Sequence, residues 1–98
     1  MRLEWDSAKN ESSRDKHGVS FDEAAEIFRS GVDYLEIFDA AHSVDEDRFI
    51  AVGPIGRGAI VVVFTERDDD VFRIVSARMA TKNERRRYEE HEEANHRG

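Results

Sequence analysis

The stretch Ala59-Ile60-Val61-Val62-Val63-Phe64-Thr65 decides the fold. It is the most apolar run in the chain, rich in β-branched residues and without polar alternation. That is the pattern of a central strand buried on both faces. Further segments of strand character lie around it. Tyr34-Leu35-Glu36-Ile37-Phe38 comes first, followed by a polar, acidic loop through Asp47, and Arg48-Phe49-Ile50-Ala51-Val52 is the second. A turn, Gly53-Pro54-Ile55-Gly56-Arg57-Gly58, then leads into the central run. The turn Arg67-Asp68-Asp69-Asp70 leads out of it into Val71-Phe72-Arg73-Ile74-Val75-Ser76-Ala77. Connections this short favour an antiparallel meander of about four strands. Leu3-Glu4-Trp5 reads either as a short edge strand or as an apolar anchor.

Helices flank this sheet on both sides in sequence. Asp6 is a good N-cap for a helix through about Lys16, and Gly18 closes it. With few apolar residues that helix belongs on the surface, its start pinned by Trp5. Ser20-Phe21-Asp22-Glu23 is a capping box, and Phe21, Ala24, Ala25 and Phe28 form one apolar stripe of a second helix that Gly31 ends. Thr81 and Glu84 make a second capping box that opens a last helix. Its charges run backwards. Lys82, Arg85, Arg86 and Arg87 crowd the positive end of the dipole, and Glu89, Glu90, Glu92 and Glu93 the negative end. Only Tyr88 and Ala94 offer apolar contact, so the last turns, about eight residues, are expected to fray or to need a partner. The expectation is an α+β domain with two N-terminal helices on one face of an antiparallel sheet and a C-terminal helix.

A chain of 98 residues makes one domain, here residues 1–98. It has no cysteine, which removes disulfides and thiolate zinc sites and favours the cytosol. No apolar run approaches the roughly 18 residues of a membrane span. Met1-Arg2-Leu3-Glu4-Trp5-Asp6 has no apolar core of a signal peptide, so a cytoplasmic protein is expected. The net charge of −7 speaks against a nonspecific nucleic-acid binder, but it is unevenly placed. Five acids and no Lys or Arg fall between Glu36 and Asp47. Six basic residues (Arg73, Arg78, Lys82, Arg85, Arg86, Arg87) stand against Glu84 alone between Arg73 and Arg87, a local +5.

Several short patterns recur in order along residues 3–89. They are Trp5-Asp6-x-x-Lys9, Lys16-His17-Gly18-Val19-Ser20-Phe21, Asp39-x-x-His42, Glu46-x-Arg48-Phe49 and Thr65-Glu66-Arg67, then Arg73-Ile74-Val75-Ser76-Ala77-Arg78-x-Ala80-Thr81 and Glu84-Arg85-Arg86-x-Tyr88-Glu89. In this succession the chain resembles the BrnT toxin family. The resemblance implies a RelE-like fold, metal-independent RNA cleavage that halts growth, and a ribbon-helix-helix, BrnA-like antitoxin that alone would contact DNA. Ser7 stands where the family commonly has Pro, and Ser13-Arg14 where it commonly has Asn-Leu. Those departures put the packing of the first helix in question more than the activity.

RNA cleavage without a metal needs a base for the 2′-hydroxyl, an acid for the leaving 5′-oxygen and cations for the phosphorane. Arg67, Arg73 and Arg78 sit on or beside the last two strands, and guanidinium groups suit bidentate phosphate contact. A hairpin about Asp68-Asp69-Asp70 would set Arg67 near Val71 and Arg73 beside Thr65. Plain strand parity then puts Arg73 with Val71 and Val75, and Arg78 with Phe72, Ile74 and Ser76, so the arginines converge only if a bulge or the strand end turns Arg78. They could equally be strand-end charges paired with Glu66 or the acidic loop. His17 is the natural acid/base candidate, or with Lys16 a simple C-cap of the first helix. Glu66 could be a base or an ion-pair partner, and Tyr88 a stacking platform or a core anchor. Lys82, Arg85 and Arg86, set against their own dipole, fit RNA phosphates or an acidic antitoxin segment, and Lys16 joins them as an RNA contact.

No cofactor or metal site is expected. His91 and His96 are five apart where a zinc helix needs four, and Asp68-Asp69-Asp70 lacks calcium-loop spacing. A protein of another class, a catalytically inactive module that serves its DNA-binding partner as a corepressor, fits the acidic net charge. So, more weakly, does a stand-alone small regulatory protein.

Overall fold

A computed structural model describes residues 1–67 and 70–96. The part of the expected turn at Asp68 and Asp69, and the end of the tail, lie outside them. The elements run β1 (Arg2–Glu4), α1 (Ser7–His17), α2 (Phe21–Arg29), β2 (Leu35–Phe38), a 3-10 turn (Ala40–His42), β3 (Arg48–Ile55), β4 (Gly58–Arg67), β5 (Val71–Met79) and α3 (Lys82–His96).

The α+β expectation holds, with one strand more than the four expected and a mixed sheet. The five strands lie in the order β1-β5-β4-β3-β2. The meander from β2 to β5 is antiparallel, and β4 is its centre. β1 pairs parallel to β5, with Leu3 beside Phe72 and Glu4 beside Arg73. Leu3-Glu4 is thus an edge strand, while Trp5 packs against the core. The sequence left this open because three residues carry too little periodicity to declare a strand, and a parallel partner at the far end of the chain has no local signal.

The expected six-residue turn after β3 shrinks to Gly56-Arg57, since β3 and β4 pair as far as Ile55 and Gly58. Pro54 is tolerated inside β3 because Ala59 opposite it turns its carbonyl to Ala80 N on the other side (2.9 Å), and β2 has already ended at the level of Val52. Gly53 is needed for a close approach. A Cβ there would lie 3.1 Å from Tyr34 Cβ and 3.4 Å from Ile27 Cγ2.

One face of the sheet carries Ala51, Ile60, Val62, Phe64, Ile74 and Ala77, which join Phe21, Ala24, Ala25 and Ile27 of α2 in the core. Phe64 is the hub, its ring 5.0 Å from Phe28, 5.0 Å from Phe72 and 5.6 Å from Phe49. Both predicted N-caps of this layer are made. Asp6 accepts from Ala8 N and Lys9 N, and Ser20 accepts from Glu23 N. Glu23 does not return the bond in the manner of a full box; it pairs instead with Arg57 (2.7 Å). Gly18 takes the left-handed C-cap conformation at φ 70°. Ser13, one of the departures in α1, is buried, with Oγ 2.8 Å from Val19 O and 2.9 Å from Ala77 O. It pins α1 to β5.

α3 lies on the opposite face, over Leu35, Ile37, Ile50 and Val52, and bounds a cavity of about 210 Å³ with Glu84 and Arg87. The apolar stripe missing from its sequence is replaced by polar anchors. Asn95 donates to Asp33 Oδ2 (2.7 Å), Tyr88 reaches Asp33 O (3.5 Å), and the helix continues through His96. Burial and the neighbouring Glu92 push the Tyr88 phenol up to about 12, so it stays a protonated anchor. The expected core anchor is thus a polar one, since half-buried Tyr88 meets Asp33 and lies outside the core cluster.

Candidate active site

The β4–β5 hairpin has the expected register at its turn, with Arg67 opposite Val71 and Arg73 opposite Thr65. Further along, Phe64 pairs with Ile74 but Val63 pairs with Ser76, so Val75 is an extra residue on β5. This β-bulge reverses the parity of everything beyond it. Arg73, Ser76 and Arg78 therefore share one face with Thr65, Val63 and Val61, turned away from α1 and α2. Ile74 and Ala77 fill the core behind them. The plain alternation that separates Arg73 from Arg78 is overturned by one unpaired residue.

Each of these arginines meets a carboxylate. Arg73 NH1 lies 3.6 Å from Glu4 Oε1, brought alongside by the parallel strand β1. Arg67 Nε bonds Glu46 Oε2 at 3.2 Å, and its NH1 lies 3.9 Å from the same Glu4. Arg78 is held bidentately by Glu84, at 2.8 and 2.7 Å. The acidic loop, through Glu46, thus folds back on the basic face. Glu66 lies across from Phe72 on the other face, where its charge raises the Glu36 carboxyl, second to burial. Partly exposed pairs of this kind contribute about 0–1 kcal/mol each, so a phosphate can compete with them. The Glu84 pair is the strongest. The Arg78 guanidinium, helped by burial-opposing bonds from Thr81, pulls its carboxyl down to about 2.

The other sequence candidates divide between the two sides of the sheet. Lys82, Arg85 and Arg86 are exposed on the first turns of α3, immediately after the residues that hold Arg78, with Arg85 3.9 Å from Glu89. His17 and Lys16 end α1 and line a groove of about 180 Å³ with Lys9, Val75 and Ser76. Ser76 borders that groove, but by register its side chain belongs to the arginine face on the other side of the sheet. Gly18 N–H caps Arg14 O, so the helix end is closed by backbone and leaves His17 exposed.

Arg48 and the Asp39-x-x-His42 spacing have no evident role along the chain and acquire one only in the sheet. In the sheet, Arg48 stands beside Thr65, which stands beside Arg73, which stands beside Glu4, a single row across β3, β4, β5 and β1. Asp39 extends the row, since its N–H bonds Arg48 O at 2.8 Å. The Asp39 carboxylate contacts His42 Nδ1 at 2.9 Å. Arg48 Nε and the hydroxyl of fully buried Thr65 have no hydrogen-bond partner among the described residues. The only local clue was the i, i+3 spacing of Asp39 and His42. The rest depends on strand register. Among the described residues no three His, Asp or Glu side chains gather as a metal cluster. Of the His91…His96 pair, the His96 side chain lies outside the described residues.

Fold and site define a small α+β protein with a carboxylate-paired cationic sheet face. The chain belongs to the BrnT family, ribonuclease toxins of type II toxin–antitoxin systems, whose family model matches residues 5–84. An antitoxin partner comes with that family. The crystal structure of the Brucella abortus ribonuclease toxin BrnT shares the fold, with a TM-score of 0.63 and 24% sequence identity, covering 84% of this chain and 99% of that one. No curated protein matches the chain. No helix among the described residues is long and apolar enough to cross a membrane.

Proposed function

We propose that this chain is an endoribonuclease toxin that cleaves RNA without a metal ion, acting on the translation machinery of its own cytoplasm. The observation that carries this reading is the Val75 bulge, which brings Arg73 and Arg78 to one face. In this role Arg73 and Arg78 grip the scissile phosphate and offset the charge of the phosphorane. Arg67 adds charge at the strand end. Lys16, Lys82, Arg85 and Arg86 hold flanking phosphates, and His17 offers an imidazole at the groove beside Ser76. The fold is RelE-like in this reading. The antitoxin is a ribbon-helix-helix, BrnA-like protein that covers the basic surface and is the complex's link to DNA.

The test is induced expression without antitoxin. Growth should arrest, and the double variant Arg73→Ala, Arg78→Ala should relieve the arrest while remaining soluble and folded. Unimpaired growth with soluble wild-type protein overturns the reading.

One observation favours a second reading, an inactive corepressor that only holds its partner. Each arginine of the face already carries a carboxylate, and Glu84 occupies both terminal nitrogens of Arg78. RNA cleavage by the purified, antitoxin-free protein excludes it.

A further inference from the structure

We propose that the proton transfer at this face is carried by His42, oriented by Asp39, with the reacting phosphate held by the guanidinium groups of Arg48 and Arg73. The inference rests on the ribonuclease reading and deepens it, because it moves the acid–base group from the end of α1 to the β2–β3 connection.

The first support is the geometry of the pair. Asp39 Oδ2 lies 2.9 Å from His42 Nδ1, and the Asp39 side chain is only 17% exposed while that of His42 is 66% exposed. A carboxylate on Nδ1 holds the proton there, so the neutral ring presents Nε2 as the free base. Nε2 has no partner among the described residues. A half-buried orienting acid with an accessible imidazole is the arrangement general-base chemistry uses.

The second support is how firmly this turn is tied to the basic face. Ser43 Oγ accepts from Arg48 N (2.9 Å) and bonds Asp39 O (2.6 Å), and Asp39 N bonds Arg48 O (2.8 Å). The imidazole is therefore fastened to the strand that carries Arg48. His17, by contrast, stands at a helix end whose features its cap already explains.

The third support comes from the unsatisfied groups. Buried polar atoms in folded proteins are nearly always paired. Here Arg48 Nε and Thr65 Oγ1, neighbours in one row, are both buried without a partner among the described residues, next to Arg73. Thr65 is closed to solvent, so the groups of this row that face outward are the half-exposed Arg48 and Arg73, and two guanidinium groups on the strands that flank Thr65 suit the oxygens of a phosphodiester. The other charges that the fold brings to this end of the sheet are Asp39 and Glu46 from the β2–β3 connection, Arg67 from β4 and Glu4 from β1.

His42 Nε2 takes the proton of a ribose 2′-hydroxyl as the 2′-oxygen bonds to the adjacent phosphorus. The P–O5′ bond breaks, and the leaving 5′-oxygen takes a proton from water. The hydroxide so formed recovers the proton from the imidazolium, leaving a 2′,3′-cyclic phosphate and a 5′-hydroxyl end. The guanidinium groups of Arg48 and Arg73 bear on the phosphorane oxygens.

The experiment uses the purified full chain, a labelled single-stranded RNA oligonucleotide and the variants His42→Ala, His42→Gln, Asp39→Asn and His17→Ala. Both His42 variants should lose about 100-fold or more in cleavage rate while RNA binding stays within about threefold. Free imidazole should restore part of the rate to His42→Ala. Asp39 is a positioning residue, and Asp39→Asn should lower kcat by about tenfold while KM stays within about twofold. Cleavage by folded His42→Ala at the wild-type rate, or a loss confined to His17→Ala, overturns the inference and leaves the ribonuclease reading standing. A loss in His42→Ala that imidazole does not restore, with His42→Gln fully active, overturns it as well. Absence of cleavage by the wild-type chain overturns both.

Discussion

Glu84 grips Arg78 through both terminal nitrogens, at 2.8 and 2.7 Å, while its Oε1 also accepts from Thr81 N at 2.8 Å. One carboxylate thus caps the first turn of α3 and occupies the fork with which Arg78 would bind phosphate. It also tempers the reversed dipole of that helix, since it is the acidic residue of a first turn otherwise rich in cations.

Replacing this residue should separate its two roles. Glu84→Gln keeps a cap acceptor but removes the charge, so stability should fall by no more than about 1 kcal/mol in urea denaturation. RNA affinity, read by fluorescence anisotropy, should rise by about threefold or more, as Arg78 becomes available. Unchanged or weaker RNA binding by the folded variant would show that Arg78 does not contact phosphate.

The same pair sets a pH dependence. The folded-state value of Glu84, about 2, lies below its ordinary 4.5. Its contribution is therefore fully present above pH 4.5 and is lost as pH falls toward 2. Carboxyl-carbon NMR of Glu84 should show a midpoint near the lower value. A midpoint near 4.5 would mean that the bidentate pair does not persist in solution.

Ser13 is predicted to matter for stability rather than chemistry. Its single hydroxyl proton lies within reach of both Val19 O and Ala77 O from a buried position, so Ser13→Ala removes the one donor those carbonyls share. The cost should be about 1–2 kcal/mol in chemical denaturation. Hydrogen exchange should quicken at the end of α1, where Lys16 and His17 sit. A neutral substitution would place the anchoring of α1 in Trp5 and the Asp6 cap instead.

Gly53→Ala should destabilise by about 1–3 kcal/mol, because the new methyl would sit 3.1 Å from Tyr34 Cβ and neither neighbour can swing away. Thermal melting would register it. Gly56→Ala, where nothing lies within 4 Å, is the matched comparison and should be milder.

Much of the architecture was legible along the chain, and the reasons are local. Asp6, Ser20 and Thr81 announce helices through bonds that span two or three residues. The run from Ala59 to Thr65 declares a strand covered on both faces, and β4 is the central strand. The four short patterns of the meander, together with the ordered motifs of residues 3–89, were enough to point to the family. Arg67 and Arg73 also fell opposite Val71 and Thr65 as hairpin counting requires.

The site was legible only in part, because a face is a property of register. Counting by twos separates Arg73 from Arg78, and nothing in Ile74-Val75-Ser76 marks Val75 as the residue that drops out of the ladder. The parallel pairing of β1, which delivers Glu4 to Arg73, joins residues almost seventy positions apart. The row from Asp39 through Arg48 and Thr65 exists only once five strands are side by side. By itself the sequence determined which segments become helices and strands, since capping and hydrophobic period act within a few residues. The tertiary structure alone decided which charges meet and on which face, because pairing between distant strands is set by packing of the whole sheet, and one bulged residue turns every side chain beyond it.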